Sequence, residues 1–121
     1  MDDLSFKKID QSIRERKEFH LKFLDKVKTY KPFLELEKKA FSDGELSKKT
    51  KELMALGISI VTKCEPCMEW HLNQALKAEA KEEEIYETID VALEMGGGQA
   101  GAYARFVLKA IEYFKGERDS G

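Results

Sequence analysis

Long apolar runs are missing from this chain: none approaches the roughly 20 residues a helix needs to span a bilayer, and Met1-Asp2-Asp3 opens nothing like a secretory leader. A soluble, cytoplasmic protein with no membrane contact is expected. Cysteine is limited to two residues and histidine to two, too few for a disulfide framework or for two separated pairs of zinc ligands. Proline occurs only at 32 and 66, and the Val/Ile/Thr alternation of strands between tight turns is absent. The chain therefore reads as all-α. Neither sign of charge dominates: 21 Lys+Arg face 23 Asp+Glu, the net charge is -2 and the pI is about 5.8. No global basic surface of the kind that binds nucleic acid or anionic lipid is expected. A mildly basic first half is read as solvated helix faces. What remains plentiful is Lys (17) and Glu (16), while Asn and Gln total four, a bias met in proteins that work at high temperature.

With 121 residues, 1–121 is expected to be a single domain with its own core. Apolar positions Ile9, Ile13, Phe19, Phe23, Leu24, Val27 and Tyr30 recur three or four apart among charges, predicting a long amphipathic helix from Asp3 to Tyr30 that Pro32 stops. A short second helix covers Phe33 to Phe41. The third begins after Ser47, a good N-cap, and is apolar on nearly every side by Ile58 to Val61, which predicts a central, buried helix. The fourth opens at Pro66 and runs to about Ala78. A fifth spans 81–95, and a sixth follows the glycines at 96–98, where a small-residue face (Gly97, Gly98, Gly101, Ala102) invites close approach. A phosphate-cradling loop is disfavoured there, since no strand precedes the glycines and no Lys-Ser/Thr follows.

The one obvious reactive centre is Cys64-Glu65-Pro66-Cys67-Met68-Glu69-Trp70-His71. Two thiols at this spacing can close a small disulfide ring or share a metal, and His71, one helical turn beyond Cys67, can move a proton or add a ligand. Metal is disfavoured by the short ligand set, and no cofactor is expected. Two packed thiols beside a core histidine are the plain alternative. Cys67, in a first helical turn, gains most from the unpaired N–H groups that favour a thiolate, while Glu65 and Glu69 oppose it. His20, far away in the first helix, is read as packing or surface. Met54, Trp70 and Tyr103 are candidates to line a pocket and equally suit a core.

Around this centre, Leu46 to Leu53, Cys64 to His71 and Met95 to Ala100 occur in an order that resembles the carboxymuconolactone decarboxylase superfamily, in particular its alkylhydroperoxidase D-like branch. The resemblance covers about residues 45–115, and its mark is a Glu, a Cys-x-x-Cys twelve residues on and a His four past the second Cys. Glu52, Cys64, Cys67 and His71 satisfy it. It implies a helical subunit that forms homo-oligomers, dimers or trimers of dimers, and a thiol peroxidase or disulfide reductase acting on organic hydroperoxides with an external dithiol reductant. By the same resemblance, Cys67 is the peroxidatic thiol, Cys64 the resolving one, and Glu52 and His71 the proton relay. Pro66 stands where the best-characterised members carry a further histidine, so the implied relay is shorter here. A straight helix would hold Glu52 and Cys64 about 18 Å apart. The fourth helix must therefore fold back along the third before Glu52 and His71 can approach.

Overall fold

The structure is a computed structural model that describes the backbone of residues 3–120 and the side chains of 4–116. It contains five helices and, among the described residues, no strand: α1 (Asp3–Lys26), α2 (Tyr30–Ala40), α3 (Lys48–Val61), α4 (Glu65–Lys77) and α5 (Glu82–Ser120). The fifth and sixth expected helices run on as α5, whose two helical segments meet at a non-helical residue, Gly97. The break falls at the glycines, as expected: Gly97 adopts φ 71°, ψ -159°, a backbone conformation that side chains rarely tolerate, and a helical segment lies on either side of the kink. The close approach expected of the small-residue face falls at Gly96, where an added Cβ would meet Ala100 Cβ at 2.6 Å and Val61 Cγ2 at 3.4 Å, whereas Gly97 and Gly98 have nothing within 4 Å.

Proline 32 also acts differently from expectation. α1 ends at Lys26, and Pro32 sits in the first turn of α2, where the N–H it lacks would have had no helical partner. Ser47 caps α3 as its type predicts, its hydroxyl accepting from the Thr50 N–H at 3.1 Å. Asp43 Oδ1 accepts from the Lys48 N–H at 2.7 Å and steadies the same helix start.

The core lies between α3, α4 and α5: Leu56, Ile60, Met68, Leu72, Ala75, Ile85, Val107 and Ala110 are each fully screened from solvent. α1 adds Ile9 to it, with Ile13 packed at its edge, while α2 buries no residue completely. α3 is central but not enclosed. Its Leu56–Ile60 face is buried, while Met54, Ile58 and Val61 are exposed along a cavity of about 510 Å³ shared with Val91 and Met95 of α5. The run of apolar residues hid this two-faced arrangement, because a helix covered on one side and one covered all round give similar sequences.

Candidate active site

The turn from α3 to α4 takes three residues, 62–64. It is closed by Lys63, in a left-handed conformation at φ 61°, and by hydrogen bonds from Lys63 N to Ile60 O and from Cys64 N to Ser59 O. So tight a corner lays α4 back along α3 and brings the predicted relay together. Cys64 is the N-cap of α4, and its Sγ accepts from the Cys67 N–H at 3.2 Å. The two cysteines are joined as a disulfide with Cα atoms 5.2 Å apart, and both are partly exposed. Pro66 stands in the first turn of α4, where it leaves no helical N–H unmet.

His71 lies one helical turn beyond Cys67 and meets Glu52 directly: His71 Nδ1 is 2.7 Å from Glu52 Oε1. Glu52 is only 2% exposed. Burial alone would push its carboxyl up, but the hydrogen bonds from His71 and Lys48 and the positive charge of Lys48 outweigh it and hold the group below its ordinary 4.5. The carboxylate is thus the stable form at neutral pH. With Nδ1–H of a neutral imidazole donated to that carboxylate, Nε2 keeps its lone pair and can accept a proton. Phe41, at the end of α2, stacks on the imidazole at 5.1 Å between ring centroids and 27° between planes. A cavity of about 260 Å³, lined by Phe41, Lys48, Glu52, Trp70 and Gln74 among others, opens beside the pair.

Two contributors gave no signal in the sequence. Lys48 Nζ lies 2.8 Å from Glu52 Oε2 and 5.9 Å from the centre of the Phe41 ring, so each carboxylate oxygen of Glu52 has its own partner. The i,i+4 spacing of Lys48 and Glu52 could have suggested the pair, though it is indistinguishable from the many surface pairs in this chain. Glu69 was counted against a thiolate at Cys67, yet it is fully buried and ion-paired to Arg16 of α1, which also lies 4.7 Å over the Trp70 ring. Burial raises the Glu69 pKa and the Arg16 pair only partly offsets this; Oε2 has no hydrogen-bond partner.

Not every candidate joins the site. His20 bonds the Tyr30 hydroxyl at 2.8 Å, tying α1 to the start of α2. Met54 and Trp70 line different cavities, and Tyr103 is 37% exposed, so the three do not form one pocket. Cys64 and Cys67 are bonded to each other, and no group of three or more His, Cys, Asp or Glu side chains converges among the described residues. No helix there is long and apolar enough to cross a membrane.

Residues 28–110 match the model of the carboxymuconolactone decarboxylase family. The chain belongs to that family. An uncharacterized protein encoded in the cox locus of Paracoccus denitrificans is 42% identical over 84 residues, which cover 69% of this chain and 76% of that relative. A Thermotoga maritima protein of known crystal structure superposes with TM-score 0.85 at 31% identity, covering 92% of this chain and 98% of the other. A Legionella pneumophila carboxymuconolactone decarboxylase family protein does so with TM-score 0.84 at 33% identity over 88% and 96% of the two chains. A second crystal structure of the Thermotoga protein, with TM-score 0.73 at 33% identity over 77% and 96%, is described as a family member with a possible part in an antioxidative response. The family's matched span takes in α3, α4 and the α5 bend, and so includes Glu52, Cys64, Cys67 and His71.

Proposed function

We propose that this carboxymuconolactone decarboxylase family protein is a thiol oxidoreductase of the alkylhydroperoxidase D-like kind, which reduces organic hydroperoxides and cycles between a dithiol and the Cys64–Cys67 disulfide. The observation that carries the reading is the buried Glu52–His71 hydrogen bond one helical turn from that disulfide. A packed histidine also needs an acceptor for its buried N–H, so the pair alone satisfies both roles, and its place one turn from the cysteines favours the chemical one. A general base gains orientation and a fixed tautomer. The antioxidative description of the Thermotoga relative points the same way.

The geometry supports the following cycle. In the reduced protein, His71 Nε2 takes the Cys67 proton and the α4 N-terminus favours the resulting thiolate. The thiolate attacks the terminal peroxide oxygen, the O–O bond breaks, and the alcohol leaves with the proton returned by His71, leaving Cys67 as a sulfenic acid. The Cys64 thiol then condenses with it, releasing water and forming the disulfide. An external dithiol supplies two electrons and two protons to reset the pair. No bound cofactor or metal takes part. Pro66 leaves His71 as the only histidine near the cysteines, so one residue serves both proton transfers.

A cytoplasmic setting suits the proposal, because a reducing compartment keeps the pair cycling. The exposed groove between α3 and α5, lined by Leu53, Met54, Ile58, Val61, Val91 and Met95, supports a homo-oligomer in which a second copy covers it. The test of function is the rate of thiol loss when reduced protein meets an organic hydroperoxide. Rapid formation of one intramolecular disulfide is expected, abolished by Cys67→Ser and slowed at least about a hundredfold by His71→Ala. Loss no faster than that of free cysteine overturns the peroxidase reading.

A further inference from the structure

We infer that the cleft beside Cys64 is a docking site for the anionic group of the reductant, and that the reductant is a small thiol bearing carboxylates. The inference rests on the Cys64–Cys67 pair cycling as proposed above, and it adds the charge and size of the molecule that resets it.

A cavity of about 230 Å³ lies where α1, the start of α4 and the second half of α5 meet, lined by Ser5, Lys8, Glu65, Arg105, Phe106 and Lys109 among others. Three of these side chains are cationic and one is acidic, in a chain whose net charge is -2. Glu65 follows Cys64 directly, and its carboxylate would repel an anion approaching the disulfide. Lys8 neutralises it through an ion pair at 3.0 Å, with its ammonium 5.7 Å from the centre of the Phe106 ring. Arg105 and Lys109, one turn apart on α5, are exposed and have no acidic partner among the described residues.

Two uncompensated cations on one helix face, next to a neutralised carboxylate, make a local positive field at the edge of the disulfide. The floor is apolar, formed by Phe106 at 8% and Ile9 at 1% exposure. The cavity is smaller than the ~300–1,000 Å³ typical of drug-sized ligand sites. It therefore suits a short apolar segment ending in one or two carboxylates better than a bulky partner. Glu65 of the lining directly follows Cys64 in the chain, so a molecule held there would present its sulfur to Cys64 rather than to Cys67. Its thiolate attacks Cys64 Sγ, the Cys64–Cys67 bond breaks, and Cys67 leaves as a thiolate at the helix N-terminus. A second thiol, the other sulfur of the same dithiol or that of a second molecule, then displaces the first from Cys64 as the free disulfide. Two thiols are oxidised, one protein disulfide is reduced, and their two protons end on Cys64 and Cys67.

The test measures the second-order rate of reduction of the oxidised protein by 3-mercaptopropionate and mercaptosuccinate (anionic), 2-mercaptoethanol (neutral) and cysteamine (cationic), each corrected for its own thiolate fraction. The anionic-to-neutral rate ratio is the readout, and no peroxide is present, so it is independent of peroxidase activity. In the native protein the ratio exceeds one and cysteamine is the slowest. Arg105→Glu/Lys109→Glu lowers the ratio about tenfold, as does raising salt to about 0.5 M. Lys22→Glu/Lys28→Glu, a charge reversal of equal size at exposed positions of the α1–α2 region, leaves the ratio in place. Circular dichroism checks that each variant is folded, and Arg105→Gln/Lys109→Gln, with no new acid, should lie between. An unchanged ratio in the folded Arg105/Lys109 variants, or an equal fall in the Lys22/Lys28 control, overturns the proposal. A retained ratio in a protein that fails to consume hydroperoxide would overturn only the peroxidase reading.

Discussion

The α1–α2 segment and the α3–α5 body are held by different forces. The body is a continuous apolar core in which Leu56, Ile60, Met68, Leu72, Ile85 and Val107 are fully buried. The first two helices bury one side chain completely, Ile9, and attach otherwise through directed contacts: Arg16 to Glu69, Asp10 to the Tyr113 hydroxyl at 2.9 Å, Phe6 against Tyr113, and Phe41 against His71. Phe19, Leu21, Phe23, Phe33 and Leu36 stay exposed there. Apolar burial is non-directional and sums over area, whereas the α1–α2 attachment depends on a few polar and aromatic contacts whose removal is felt singly. Two of those contacts reach the site, through Phe41 on the relay histidine and Arg16 on the helix that carries it.

The largest expected effect is in the body. Leu72→Ala should lower unfolding stability by about 3 kcal/mol, the cost of a cavity in a core that cannot collapse, measured by urea denaturation. Next comes the tie between the regions. Arg16→Met leaves the buried Glu69 carboxylate without its ion-pair partner and should cost about 2 kcal/mol at neutral pH. Glu69 already has a raised pKa, first through burial, so it binds its proton more tightly folded than unfolded. Its charged form opposes folding, and the Arg16→Met deficit should shrink as pH falls through the folded value toward 4.5 and below. A deficit that grows in acid would contradict the assignment.

Glu52 carries the opposite sign. Its carboxyl lies below 4.5, so its stabilising contribution is present above that value and lost as pH falls through the folded one. Lys48→Met removes one of the two partners that outweigh burial, so the Glu52 carboxyl keeps its proton to higher pH. The acid limb of Cys67 alkylation in the reduced protein should move up in pH, with Lys48→Arg restoring it. A limb that stays in place would reduce Lys48 to a surface ion pair. The smallest effect is expected in the unattached face: Leu36→Ser, at a position 63% exposed, should change stability by less than about 0.5 kcal/mol. A larger loss that depends on protein concentration would show that another copy covers α2.

Local chemistry was legible in the sequence where one residue decides it. Ser47 announced the start of α3, Pro66 the start of α4 to within a residue, and the apolar periodicity the helices themselves. Pro32 misled because proline both ends helices and begins them, and only the preceding turn at 27–29 decides between the two. The glycines at 96–98 marked an irregularity but not its form, since a φ of 71° at one residue yields a bend when helix resumes at once. The direct Glu52–His71 bond required the corner at 62–64, which the spacing demanded without specifying. The Arg16–Glu69 pair joins residues 53 apart and leaves no local trace.

The three-residue corner between α3 and α4 has one more consequence. Lys48, Glu52, Cys64, Cys67 and His71 all belong to one uninterrupted helical hairpin, 24 residues from first to last, whereas the groups around it, Phe41, Arg16 and the cations of the neighbouring cleft, come from the rest of the chain. The candidate reactive groups are thus set by the folding of one short stretch of chain, while access to them is set by how the remaining helices dock against it.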